Sequence, residues 1–131
     1  MRRALVLLGV LALPVAGCGG GSDESGKVSA AAQSYVAAFT AHDASATCLA
    51  MTEHSQEAVA EFAHEHMHLK GATCTKAVAL LPPAQPGAKV ADVKVSGSHA
   101  TVAVDGFDRP LQLVREHEGW RVQSTPSGET D

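Results

Sequence analysis

An α+β domain, with N-terminal helices packed against a curved four-stranded antiparallel sheet, is predicted by two changes of rhythm along this 131-residue chain. Between Val28 and Leu81 the apolar residues recur at the three- and four-residue spacing of a helix stripe. A Pro- and Gly-bearing stretch through Gly87 ends that pattern, and from Val93 apolar and polar residues alternate with period two. Each half then has one apolar face, and each needs the other to bury it.

The segment before the helices reads differently. Arg2-Arg3, an apolar core from Ala4 to Leu13 and Pro14 make an export signal, and a core this short falls well below the roughly 20 apolar residues of a membrane span. The run Val15-Ala16-Gly17-Cys18 that follows resembles the lipobox of bacterial lipoproteins. That resemblance implies cleavage after residue 17, lipid attachment at Cys18, and residence on the extracytoplasmic face of a membrane. Two acyl chains on one cysteine are what stable anchoring requires. Residues 18–27 then read as the lipidated cysteine and a flexible tether, because Gly19 to Lys27 has no apolar residue to bury, and its reach would be about 15–18 Å.

Val28, Ala31, Ala32, Tyr35, Val36 and Phe39 form one stripe, predicting a helix that stops near His42. Asp43 is the expected N-cap of a short helix through Cys48 to Met51. A third helix, Ser55 to Leu69, carries Val59, Phe62, Ala63, His66 and Met67 on one face, with Gly71 as its C-terminal cap. A fourth, Cys74 to Leu81, stops at Pro82-Pro83. In the second half Val93 and Val95 alternate with Asp92 and Lys94, and Gly97-Ser98 is a two-residue hairpin signal. Ala100, Val102 and Val104 define the next strand, Leu111 and Leu113 the third, and Trp120 and Val122 the fourth, after a turn at His117 to Gly119. One domain over 28–124 and a disordered polar tail over 125–131 complete the reading.

Charge and cysteine usage bound the function. With ten basic and fourteen acidic residues the chain is mildly acidic, and loss of Arg2 and Arg3 with the signal moves the net charge from −4 to −6. No basic patch interleaved with aromatics is present, so nucleic acid is not an expected partner. Of three cysteines, Cys18 is assigned to lipid, leaving Cys48 and Cys74 as an even pair in an exported chain. A disulfide between them would contribute roughly 3 kcal/mol.

Tyr35-Val36-Ala37-Ala38-Phe39, His42-Asp43 and Cys48 in the helical half, the hairpin around Val93 to Val102, and Leu113 to Val122 form an ordered set that resembles small bacterial lipoproteins with a nuclear transport factor 2-like domain. The resemblance implies a cone, with the sheet wrapped around the long helix, holding a small hydrophobic ligand or filled by side chains. It also implies a sheet face able to pair into a homodimer. Tyr35, His66 and Trp120 lie on apolar faces and read as core residues or, where the cone is open, as its pocket lining.

The sharpest chemical motif is His64-Glu65-His66-Met67-His68, which fits H-E-x-x-H. On a continuous helix His64 and His68 would share a face with Glu61 and could hold zinc, with Glu65 activating water. Gly71 and Cys74 even fall where the longer protease pattern places its glycine and third ligand. Against a protease, that ligand would be a cysteine and no methionine follows Met67. The helical wheel also sets His64, His68, Glu61 and Glu65 on the polar side. An isomerase-like use of the cone, with Tyr35 beside a carboxylate base, meets a different obstacle: Val93, Val95, Ala100, Val102, Val104, Leu111, Leu113 and Val122 point inward and are all apolar. The expectation is therefore a non-catalytic binding module for a small hydrophobic ligand or an envelope protein, with no cofactor and no catalytic residue. The competing reading is an enzyme, isomerase-like or zinc-dependent.

Overall fold

The computed structural model describes residues 21–83, 87–117 and 119–123. The signal segment 1–17, Cys18 and the tail 125–131 lie outside the described residues. Four helices, α1 (Gly21–Thr40), α2 (Ala44–Leu49), α3 (Glu53–His66) and α4 (Cys74–Ala79), precede four strands, β1 (Val90–Ser96), β2 (His99–Val104), β3 (Leu111–Glu116) and β4 (Gly119–Gln123). The strands form one antiparallel sheet in the order β1-β2-β3-β4. The predicted α+β class is what the chain adopts.

The sheet follows directly from the period-two pattern. In β2, Ala100, Val102 and Val104 are buried while the residues between them are not. Leu113, Trp120 and Val122 continue the same inner face on β3 and β4. The β1–β2 turn places Gly97 at φ 60° and leaves Ser98 outside the positive-φ region, the arrangement of a II′ hairpin with glycine at its first central position. The inward register read from sequence is the observed one: Val93, Val95 and Leu111 pack against the buried cluster of the other five.

Helix α1 lies across that inner face and touches all four strands, most extensively β1 and β4. Val28 and Ala32 are completely buried, and Tyr35 and Val36 nearly so, so the predicted stripe is the face that seats on the sheet. The helix starts at Gly21, however, seven residues before Val28, so residues 21–27 belong to α1 and not to a tether. A tertiary contact accounts for the extension: Glu24 accepts a hydrogen bond from Trp120 Nε1 at 2.8 Å, across 96 residues of sequence. No local apolar pattern could announce that contact.

Helix α1 ends in a Schellman arrangement. His42 takes φ 57° and donates its N–H to the Phe39 carbonyl, while the Asp43 N–H reaches Ala38 O. Asp43 then caps α2 as expected, its Oδ1 accepting from Ala46 N at 3.0 Å. Helix α3 begins two residues before the expected Ser55, because Thr52 is its N-cap and pairs with the buried Ser55 hydroxyl at 2.7 Å. Thr73 caps α4 in the same way. Between α2 and α3, Met51 makes a parallel bridge to Val122, with Val122 N donating to Ala50 O and Thr52 N to Val122 O. These bonds cover the outer edge of β4.

Candidate functional site

Four places bear on function, and each is built by elements already described. The first is the end of the sheet where α1 begins. Arg115 and Trp120 stand opposite each other in the β3–β4 register, and both reach Glu24 on α1. The Arg115 guanidinium lies 3.7 Å from the Glu24 carboxylate and Lys27 lies 3.6 Å away on the same helix. The Trp120 hydrogen bond, followed by the charges of Lys27 and Arg115, holds the Glu24 carboxyl below the usual carboxylate range, with partial desolvation opposing them. Trp120 is buried with its indole N–H satisfied by an ionised partner, which makes this a clamp between helix and sheet. An open polar depression of about 570 Å³ lies beside it, lined by Glu53, Arg115, Glu116 and His117.

The second is a groove at the opposite edge of the sheet. Gln33, Val36, Ala37, Thr40 and Ala41 of α1 form one wall, and Ala88, Lys89 and Val90, where the chain leads into β1, form the other. Its volume is about 660 Å³ and it is open to solvent. Neither Tyr35 nor Trp120 lines it. Tyr35 is buried in the core cluster one turn before Phe39, its ring stacked at 6.2 Å, and burial pushes its phenol above the ordinary value. A neutral phenol in that position packs. The inner-face residues packed around it are apolar, and the carboxylate of Glu24 lies on α1 itself, engaged with Trp120 and Arg115.

The third is the histidine-rich end of α3, and here the structure departs from the periodicity. The helix stops at His66, Met67 is its C-cap, and His68 turns into the left-handed region at φ 53°. Leu69 N–H folds back to Ala63 O. The second histidine of the H-E-x-x-H match is thus off the helix, and His64 and His68 do not share a helical face. His64 Nδ1 instead lies 3.4 Å from Leu69 O. Among the described residues no group of three His, Cys, Asp or Glu side chains is placed to hold a metal ion. The cap predicted at Gly71 is displaced to His68, although Gly71 also has a positive φ of 62°. His66, expected inside, is exposed and stacks on Phe62 at 4.5 Å, and Met67 is 38% exposed. The wheel fails there because the helix stops at His66, and of its last turn only Ala63 is buried while His64, Glu65 and His66 are exposed.

The fourth is the cysteine pair. Cys48 of α2 and Cys74 of α4 form a disulfide with a Cα–Cα separation of 6.1 Å. It joins two six-residue helices that also pack against each other. His42 adds a second tie, its Nε2 3.1 Å from the Ala79 carbonyl at the end of α4.

These features define a disulfide-stapled α+β domain with one long helix clamped across a four-stranded sheet. No family model, curated protein or solved structure matches the chain.

Proposed function

We propose that this chain is a lipid-anchored lipoprotein of the cell envelope, held at the extracytoplasmic face of a membrane through Cys18, and that its domain is a binding module without catalytic activity. The observation that carries the reading is the Val15-Ala16-Gly17-Cys18 run after a short export signal. The Cys48–Cys74 disulfide supports it, because such bonds persist in oxidising compartments and this one leaves Cys18 as the single remaining cysteine. Only Gly19 and Gly20 separate Cys18 from the first residue of α1. An acylated Cys18 would therefore hold the start of α1 within roughly 10 Å of the bilayer.

The finer fold belongs to the same proposal. A long helix lying across all four strands, with the α2–α3 connection at Met51 bridging the β4 edge, supports the nuclear transport factor 2-like arrangement. The inner face is filled by side chains from Val28 to Val122, so a ligand has its best access at the open groove between α1 and β1. Its mostly apolar walls suit a small hydrophobic ligand or an apolar segment of an envelope protein.

Replacing Cys18 with Ala tests the anchor. The variant is expected to accumulate as an uncut precursor lacking acyl chains, whereas the wild-type chain partitions into detergent. Equal processing and partitioning of both forms would reject the proposal.

A further inference from the structure

We propose that the polar depression beside the start of α1 is a lipid headgroup site, in which Arg115 and His117 take the phosphate, and Glu53 and Glu116 the primary ammonium, of a zwitterionic phospholipid in the anchoring bilayer. The inference rests on anchoring through Cys18 and adds to it the end of the domain that meets the membrane and the class of lipid it touches.

Chain length places the depression at the bilayer. Only Gly19 and Gly20 lie between Cys18 and α1, so even a fully extended link reaches roughly 10 Å. Glu24 stands in the first turn of that helix, and Arg115, which lines the depression, lies 3.7 Å from its carboxylate. The depression is thus within about one helical turn of the point where the tether joins. The groove between α1 and β1, by contrast, lies along the second half of a helix about 30 Å long.

Charge chemistry selects the headgroup. Arg115, Glu53 and Glu116 line one depression, yet among the described residues the two glutamates make no ion pair and Arg115 pairs only with Glu24. Opposite charges that share a depression without touching leave room for a ligand that carries both signs. The half-exposed guanidinium keeps N–H donors beyond the one turned to Glu24, and its planar fork matches phosphate oxygens. A primary ammonium offers three N–H donors to the carboxylates, whereas a trimethylated one offers none. An anionic headgroup fits poorly, since Asp23, Glu24, Glu53 and Glu116 outnumber Lys27 and Arg115 around this end. The four lining residues are exposed, so each contact is weak in solution. The tether offsets that weakness by making docking intramolecular, at high effective concentration of headgroups.

The test couples the mature chain, disulfide intact, through its Cys18 thiol to a maleimide lipid in vesicles. These consist of phosphatidylcholine alone, or of phosphatidylcholine mixed with phosphatidylethanolamine or with phosphatidylglycerol. Energy transfer to a trace dansyl lipid from Trp120, the one tryptophan and a direct partner of Glu24, reads how closely this end sits on the surface. Transfer should be highest with phosphatidylethanolamine, and Glu53→Gln, Glu116→Gln and Arg115→Gln should each weaken docking roughly two- to fivefold. Circular dichroism checks that the variants fold, and the two glutamates lie outside the Trp120 clamp, so their loss reports the depression itself. Equal transfer on all three surfaces, strongest transfer with phosphatidylglycerol, or ethanolamine-selective transfer that survives both glutamate substitutions would each overturn the proposal. Because the coupling supplies the tether, these outcomes judge the headgroup site alone, while the processing of Cys18→Ala judges the anchor.

Discussion

Breaking the Cys48–Cys74 bridge should loosen the helical half of this domain well before the sheet. The two cysteines lie 26 residues apart, and releasing a loop of that size from the unfolded chain costs about 3 kcal/mol of stability in the chain-entropy model. Helices α2 and α4 have six residues each, far below the length at which an isolated helix persists in water. Both sulfurs are buried, so the bridge also fills part of the core. In a domain of about 100 residues each kcal/mol moves the melting midpoint by roughly 4–8 °C, which gives a fall on the order of 12–24 °C. Thermal unfolding followed by circular dichroism, with and without a phosphine reductant and with the thiols counted, reads this directly. The Cys48→Ala/Cys74→Ala variant should match the reduced wild type or melt slightly lower. A fully reduced chain whose midpoint stays within about 4 °C of the oxidised one would refute the reasoning.

Two further outcomes follow from side chains at the helix ends. Glu24 has its folded pKa lowered, so its contribution is present at neutral pH and is lost as pH falls below the usual carboxylate range and through the depressed value. Glu24→Gln should lower stability at neutral pH, shrink the loss between neutral and acid conditions, and change the fluorescence of the one tryptophan, Trp120; identical acid melting curves for the two proteins would contradict the clamp. His68 pays for a left-handed backbone that glycine adopts freely, so His68→Gly should raise stability by about 0.5–1 kcal/mol in denaturant unfolding. No gain, or a loss, would mean that the imidazole holds a contact worth more than the backbone strain.

How much of this was legible in the sequence depends on whether the cause is local. The strands of the second half were readable because one buried face imposes strict alternation, and Ala100, Val102 and Val104 keep it. The Asp43 cap and the Gly97 turn were readable because a single residue supplies the local chemistry. The first turns of α1 were not, since Glu24 is held there by a tryptophan 96 residues away. Thr52 and Ser55 escaped notice because a buried hydroxyl pair has no periodic signature. At the end of α3, periodicity pointed the wrong way: the apolar spacing runs on through Met67, but the helix stops at His66, and a histidine takes the left-handed place where glycine was expected. That one-turn difference separates His64 from His68 and dissolves the zinc motif. The groove beside β1 was invisible for another reason, since it lies between elements more than 40 residues apart in sequence.

The intact mass of the chain extracted from membranes tests the central claim most directly. Anchoring through Cys18 predicts a protein that begins at Cys18, carries the mass of a diacylglyceryl group on that residue, and contains one disulfide. An unmodified chain, or one whose mature N-terminus lies elsewhere, would contradict it.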